Sequence, residues 1–196
     1  VETNATGSSN GIGTNIAQTL TVTGNAVGTV DYLITPSANS CTGTPVRAII
    51  SVKPIPVVVA TPTPAAICSG STSNIILTST PTGATFAWTA IQTDASGASA
   101  SSGSIIAQAL SSPGSFIGSV DYTITPTLNS CVGLPVHSII TVNPTPVAVA
   151  TPVSTTICSA TATNIPLTSL VTGATFAWTV VQNNVSGATA GNGTSI

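Results

Sequence analysis

The chain has 196 residues, of which only 3% are charged, and its formal net charge is −2. Two Lys and Arg residues in total cannot form the basic surface that nucleic acid or an anionic membrane requires, because such binding depends on neutralising phosphate groups. The longest wholly apolar run, Ile55–Ala60, is far shorter than the roughly 20 residues that span a bilayer. We therefore expect no nucleic-acid partner and no membrane insertion.

The composition is rich in Thr, Ser, Val, Ile, Gly and Pro, which favours strands and turns over helices. Disordered chains have the opposite composition, with much charge and few β-branched residues, so we expect a folded all-β protein. The sequence contains no Met and no recognisable signal peptide. We expect it to be an internal segment of a longer polypeptide.

A repeat with a period of 90 residues organises the chain. Cys41 returns as Cys131, and Cys68 returns as Cys158. When residues 31–90 are aligned with the segment that starts one period later, 37 of 60 positions are identical without a gap. This period is the length of one small domain rather than of a solenoid unit, so we expect tandem domains of about 90 residues.

The period divides the chain into three parts. Residues 1–54 form the C-terminal part of a repeat, residues 55–144 form a complete repeat, and residues 145–196 form the N-terminal part of the next. They are called the first, second and third repeats below. The junction Val52–Val57 is short and contains two prolines, which fix φ and stiffen the chain. We expect adjacent repeats to be held end to end.

Short strands separated by turn residues are expected within the second repeat. In Ser119–Thr125, Val120, Tyr122 and Ile124 alternate with polar residues, which is the pattern of a half-buried strand. Thr85–Thr89 is expected to be the central strand. The other expected strands are Val57–Thr61, Asn74–Ser79, Gly103–Leu110 and Pro135–Val142, and Asp94–Ser104 is expected to be a loop. About seven strands and no helix predict an antiparallel β-sandwich.

Val57–Thr61 is expected to be an edge strand, because flanking prolines keep an edge from pairing with other chains. Those prolines are Pro54, Pro56, Pro62 and Pro64. The predicted core consists of the inward residues of both sheets, namely Ile75, Leu77, Phe86, Trp88, Ile106, Leu110, Val120, Tyr122, Ile124, Ile140 and Val142.

The cysteines favour disulfides over a metal site, because no His or second Cys lies at ligand spacing. Cys68 and Cys131 bracket Trp88, an arrangement similar to that of immunoglobulin-like sandwiches, so we predict that these two pair within the second repeat. Cys41 and Cys158 would then pair with residues outside this sequence. A pairing of Cys41 with Cys68 across the junction stays open. Either pairing implies an oxidising, extracellular compartment.

Catalytic and ligand-binding groups are scarce. Phe86, Trp88 and Tyr122 could form a platform for sugars, but their alternation predicts that they lie in the core. Asp31 and Asp121 could ligate a cation, yet each repeat has too few acids for a calcium site. His137 is the only histidine, and its counterpart in the first repeat is an arginine. We predict no catalytic residues, no metal, no cofactor and no enzymatic activity.

The repeat resembles a known family. The segments Thr156–Thr179, with its Thr-Ile-Cys-Ser and Thr-Gly-Ala-Thr-Phe-Ala-Trp-Thr motifs, and Val120–Pro144, with Val-Asp-Tyr-Thr-Ile-Thr-Pro and Asn-Ser-Cys, are similar to PKD-like, immunoglobulin-like repeats of giant secreted proteins of Bacteroidota. Relatives of this type include filamentous adhesins of gliding motility, which the type IX system secretes. The resemblance implies an extracellular β-sandwich array without catalytic residues.

The leading hypothesis is a stiff, disulfide-stapled stalk at the cell surface that serves attachment or gliding. One alternative is an array of carbohydrate-binding modules whose loops, such as Asp94–Ser104, hold surface glycans. Another is a small subunit that assembles by strand complementation, since the first and third repeats supply complementary parts of a sandwich. We expect the partners to be adjacent repeats or neighbouring copies, which complete both partial repeats.

Overall fold

The computed structural model describes residues 1–62 and 65–196, and this part of the chain contains strands and turns but no helix. The predicted all-β fold is confirmed. Pro64, which was expected to flank the first strand of the second repeat, lies outside the described residues.

The second repeat is a sandwich of two sheets. One sheet has the order β13-β10-β8, and the other has the order β12-β11-β14-β16-β9, with β15 pairing with the end of β14. Its strands are β8 (Val57–Thr61), β9 (Ala65–Cys68), β10 (Ile75–Thr80), β11 (Thr85–Thr93), β12 (Ser101–Ser102), β13 (Ile105–Ile106), β14 (Gly118–Leu128), β15 (Cys131–Val132) and β16 (Val136–Asn143).

The centre of the larger sheet is β14, which pairs with β11 on one side and β16 on the other. The expectation that Thr85–Thr89 forms the central strand is therefore corrected: it begins β11, one position from the centre. Along β14, Val120, Tyr122 and Ile124 are fully buried and the residues between them are partly exposed. The period-two pattern identified the inward face of this strand but could not identify its neighbours.

The residues of the predicted core all lie in one buried cluster between the two sheets. Val58 and Ala60 of β8 also belong to this cluster, although the prediction omitted them. β8 pairs with β10 alone, which places it at an edge of the smaller sheet as expected. The cluster runs from Val58 to Val142, so its members come from the second repeat alone.

The first and third repeats contain the corresponding partial sheets. In the first, β4 pairs with β7 in the register that β14 and β16 repeat. Its strands are β1 (Glu2–Thr3), β2 (Ala5–Thr6), β3 (Thr21–Val22), β4 (Gly28–Ile34), β5 (Ser37–Ala38), β6 (Cys41–Thr42) and β7 (Val46–Val52). The third has β17 (Val149–Ala150), β18 (Leu167–Thr168), β19 (Ala177–Trp178) and β20 (Gly191–Asn192).

Several side chains that are buried in the second repeat have exposed counterparts in the first. Ile140 is 1% exposed, whereas its counterpart Ile50 is 45% exposed. Ile106 is 0% exposed, and its counterpart Ile16 is 49% exposed. The first repeat therefore presents the inner face of one sheet without an opposing sheet over it.

Two adjacent isoleucines of β16 test the assignment of the core. Ile140→Ala should lower the free energy of unfolding by about 2–5 kcal/mol, because it leaves a cavity between the sheets. Ile139 is 46% exposed, so Ile139→Ala should change that free energy by less than about 1 kcal/mol. Urea denaturation followed by Trp88 fluorescence, in a Trp178→Phe background, measures both. Equal losses for the two variants would contradict the sandwich.

Candidate functional site

One end of the second repeat, called the N-terminal pole, is the hairpin Leu128–Gly133. Leu128 pairs with Cys131 across a two-residue turn. The turn residues Asn129 and Ser130 have φ values of 49° and 70°, as a type I′ turn requires, and Asn tolerates this left-handed backbone well. Gly133 closes the hairpin by donating its N–H to the carbonyl oxygen of Pro126 at 2.9 Å.

The chain enters the second repeat against this pole. Pro56, which is fully buried, lies so close to Gly133 that a Cβ on this glycine would overlap the carbonyl oxygen of the proline. The Lys53 ammonium group donates a hydrogen bond of 3.1 Å to the carbonyl oxygen of Asn129. The Pro-rich junction is therefore in contact with the hairpin that carries Cys131.

The opposite end, called the C-terminal pole, consists of Cys68–Ser71 with Ser112 and Asn143. Cys68 ends β9, which runs parallel to β16 and faces Asn143. The N–H of Ser69 donates to the Asn143 carbonyl at 2.7 Å, and the Ser69 hydroxyl accepts the N–H of Ser112 at 3.0 Å. Thr145, in the next junction, donates its hydroxyl to the Ser69 carbonyl at 3.5 Å. The chain leaves the second repeat at this pole.

The fold does not allow the predicted disulfide between Cys68 and Cys131. Cys68 lies beside the end of β16 that faces Gly118, whereas Cys131 faces Leu128 at the other end of β14. Ten residues of extended strand separate these positions by roughly 30 Å, and a disulfide needs Cα atoms within about 7 Å. The spacing of the cysteines around Trp88 gave no information on which end of the sheet each occupies.

The alternative pairing of Cys41 with Cys68 is excluded by the same reasoning. Cys41 lies in the hairpin of β5 and β6, from which β7 runs the length of the first repeat to the junction. Cys68 lies at the far end of the second repeat from that junction. The two cysteines are therefore separated by both repeats. All four cysteines, the others being Cys131 and Cys158, are free thiols in the structure.

The aromatic side chains pack in the core and do not form a sugar platform. Phe86 and Trp88 are 6% and 5% exposed, and Tyr122 is fully buried. The Tyr122 hydroxyl donates to the Gln108 amide oxygen at 2.8 Å, and burial raises the pKa of this phenol. The Gln108 amide group donates to the Ser99 carbonyl oxygen at 2.9 Å, which ties the segment Asp94–Ser104 to the sandwich. This segment was expected to be a loop, but it contains the short strand β12, which pairs with β11.

The sequence analysis named His137 and Asp121 separately and missed their contact on the outer face of the larger sheet. Nδ1 of His137 lies 3.0 Å from both carboxylate oxygens of Asp121. In the first repeat, Arg47 and Asp31 occupy the equivalent positions and form an ion pair. The aligned repeats already contained the signal, because Arg or His faces an Asp at the same spacing in both. Both pairs are partly exposed, so they fit a surface cross-strand contact and not a catalytic one.

Asp94, the first residue of the predicted loop Asp94–Ser104, has φ of 49°. Its counterparts Asn4 and Asn184 have φ of 51° and 54°. Asp and Asn are the side chains that best tolerate this left-handed backbone, so the three residues occupy one turn position.

A second exposed feature is Phe116, in the loop before β14. Its side chain is 74% exposed, and its carbonyl oxygen accepts the hydroxyl of Ser112 at the C-terminal pole. The sequence analysis did not identify Phe116 as an exposed aromatic residue. Two surface depressions, of about 230 and 270 Å³, lie in the third and first repeats and are smaller than most ligand pockets.

Within residues 1–62 and 65–196, no three His, Cys, Asp or Glu side chains converge as metal ligands would. The same part of the chain contains no helix with the length and hydropathy needed to cross a membrane.

The contact between the junction and the N-terminal pole can be tested with a matched pair of glycine variants. Gly133 and its counterpart Gly43 each close a hairpin against a proline ring, but only Gly133 is also covered by Pro56. Gly133→Ala should cost about 1–3 kcal/mol through overpacking, which corresponds to roughly tenfold or faster hydrogen exchange in its hairpin. Gly43→Ala should cause a smaller loss of stability, because the new methyl group would meet only the proline ring of its own hairpin. Equal effects measured by mass spectrometry would show that the junction does not press on the hairpin.

Comparison with known proteins is consistent with this architecture. None of the curated proteins compared with the chain matches it. The PKD-like domain family matches residues 1–56 and 65–146, which is more than half of the chain. The chain therefore belongs to the PKD-like domain family, as a tandem array of its β-sandwich repeats.

Proposed function

We propose that this chain is a structural repeat region of an extracellular filament or cell-surface adhesin, in which each repeat adds length to a stiff stalk. The observation that carries the proposal is that the chain enters the second repeat at one pole and leaves it at the opposite pole. Pro56 lies against the N-terminal pole, and Thr145 lies against the C-terminal pole. Successive repeats with this path extend the polypeptide and do not fold back.

The length that each repeat contributes follows from its longest strand. β14 has 11 residues, and a strand rises by about 3.3 Å per residue, so the sandwich is roughly 35 Å long. The junction between β7 and β8 adds about 17 Å at most, because it spans five residue steps. The length of the array would therefore increase in proportion to the number of repeats.

Stiffness is supported by the contacts of the junction. Pro54 and Pro56 are buried, and their rings fix φ at two of the few residues that could act as a hinge. Lys53 binds the N-terminal pole of the second repeat, and Thr145 binds its C-terminal pole. Each junction therefore contacts the pole of the second repeat that it adjoins, and this contact limits its freedom to bend.

The remaining parts of the proposal rest on composition and on the resemblance to secreted PKD-like repeats. A surface with 3% charged residues offers few strong binding groups, so attachment would arise from many weak contacts along an array. A role in gliding and secretion by the type IX system would follow if the parent protein is an adhesin of that kind. We expect no catalysis from this region.

An alternative is that the repeats bind surface glycans, and exposed Phe116 at the C-terminal pole is the observation that favours it. Aromatic rings stack on sugars, but a platform normally uses more than one ring. Glycan binding by the chain that disappears in Phe116→Ala would favour this function. Self-assembly by strand complementation would instead appear as oligomers whose size grows with concentration, driven by the exposed inner face around Ile50.

Duplication of the second repeat tests the stalk geometry. A chain with residues 55–144 inserted a second time after residue 144 keeps both junction sequences intact. Its maximum dimension, measured by small-angle X-ray scattering, should exceed that of the original chain by roughly 35–50 Å. An increase below about 15 Å would mean that the repeats fold back on one another, and the stalk would be rejected.

The cellular location is tested on the organism that makes the protein. Antibodies raised against the second repeat should label intact cells, and brief protease treatment of those cells should remove both the label and surface attachment. Antibodies against a cytoplasmic protein provide the control for cell integrity. Labelling that requires permeabilised cells would reject an extracellular stalk.

A further inference from the structure

Each complete repeat carries one cysteine at each pole, and neither is protected in the core. Cys68 is exposed and Cys131 is half-buried, and both are free thiols. Unpaired cysteine is normally among the most buried residue types. In a tandem array the poles are the places where one repeat meets the next. Both thiols therefore lie where adjacent repeats would meet.

The two junctions of the chain show the two halves of one contact. At the junction before the second repeat, Lys53 and Pro56 contact the hairpin that carries Cys131. At the junction after it, Asn143 and Thr145 contact Ser69, the residue that follows Cys68. Each of the two junctions therefore contacts a cysteine-bearing segment of the second repeat.

The repeat relates these halves directly. Lys53 and Asn143 occupy the same position of the repeat. In a continuous array, the residue at this position would contact both the repeat that it ends and the repeat that follows. As Asn143, it faces the cysteine at the C-terminal pole of its own repeat in the parallel pairing of β9 and β16. As Lys53, it bonds to the turn that precedes the cysteine at the N-terminal pole of the following repeat. Both cysteines therefore lie beside the same short linker.

We propose that the cysteine at the C-terminal pole of each repeat forms a disulfide with the cysteine at the N-terminal pole of the next repeat. Such a bond would covalently cross-link adjacent repeats at every junction of the array. No disulfide would form within a single sandwich. Under this rule no two of Cys41, Cys68, Cys131 and Cys158 are partners, because none of these pairs meets at one junction. The rule does not depend on where the protein acts, so it can hold even if the stalk function is rejected.

The oxidation needs a thiol–disulfide oxidant. One thiolate attacks the oxidant's disulfide and forms a mixed disulfide, and the second thiolate then displaces the reduced carrier. The two cysteines lose two protons and two electrons in total. With oxidised glutathione as the oxidant, two molecules of reduced glutathione are released.

The chain with residues 55–144 duplicated provides the test, because it contains one complete junction of the proposed kind. The added repeat has its own closed core, so it should fold. In a glutathione redox buffer, this chain should lose two alkylatable thiols relative to the same chain under reducing conditions. Peptide mapping by mass spectrometry should join Cys68 of the first copy to Cys131 of the second copy. The original chain should retain all four thiols as a monomer.

Two matched variants identify the bond. Cys68→Ser in the first copy should abolish the loss of thiols, whereas Cys68→Ser in the second copy should leave it unchanged. The proposal is overturned if every thiol of the duplicated chain stays alkylatable, or if the mapped bond joins Cys68 and Cys131 of the same copy. A bond found only in covalent dimers would also overturn it, because the junction would then not bring the partners together within one chain.

Discussion

The parallel pairing of β9 with β16 is the contact on which the architecture of the array depends. β9 lies near the start of the second repeat and β16 is its last strand, and the two run in the same direction side by side. Because β9 closely follows the entry strand β8 and runs in the same direction as the last strand, β16, the chain leaves the sandwich at the end opposite to the one where it entered. The separation of the two poles, the end-to-end placement of repeats and the separation of the cysteines all follow from this pairing.

Two sets of contacts stabilise the pole-to-pole path of the chain: the packing of the core and the contacts of the junction. Alternating apolar residues of β14 and β16 bury one face of the larger sheet against the smaller sheet, with Ile124 and Ile140 fully enclosed. At the N-terminal pole, the absence of a side chain on Gly133 lets the carbonyl group of Pro56 approach the hairpin. The sandwich therefore stabilises the repeat, while a glycine and two prolines position it relative to the one before.

The sequence predicted the parts of the fold that depend on local pattern. Alternation identified the inward faces of β10, β11, β14 and β16, and the repeat identified the period. Alternation reports which side of a strand is buried but not which strand lies beside it or in which direction. For this reason Thr85–Thr89 was placed at the centre of the sheet, and the short segment Ala65–Cys68 was not recognised as a parallel strand.

The error over the cysteines has the same origin. A spacing along the chain does not say which end of a sheet a residue occupies, and Cys68 and Cys131 differ in just that respect. The contact of His137 with Asp121 was predictable in principle, since the first repeat has Arg47 and Asp31 at the same positions. The contact between Lys53 and Asn129 was not, because it joins two repeats whose relative placement no local pattern encodes.

The measurement that tests the account most directly is the distance between the two poles of the second repeat. Cys68 and Cys131 can carry nitroxide spin labels if Cys41 and Cys158 are replaced by serine. Pulsed electron paramagnetic resonance should then give a distribution centred at roughly 30–40 Å, set by the ten residues of extended strand between the poles. A distance below about 15 Å would place both cysteines at one end of the sandwich. That result would contradict the parallel pairing of β9 with β16, and with it the pole-to-pole path of the chain.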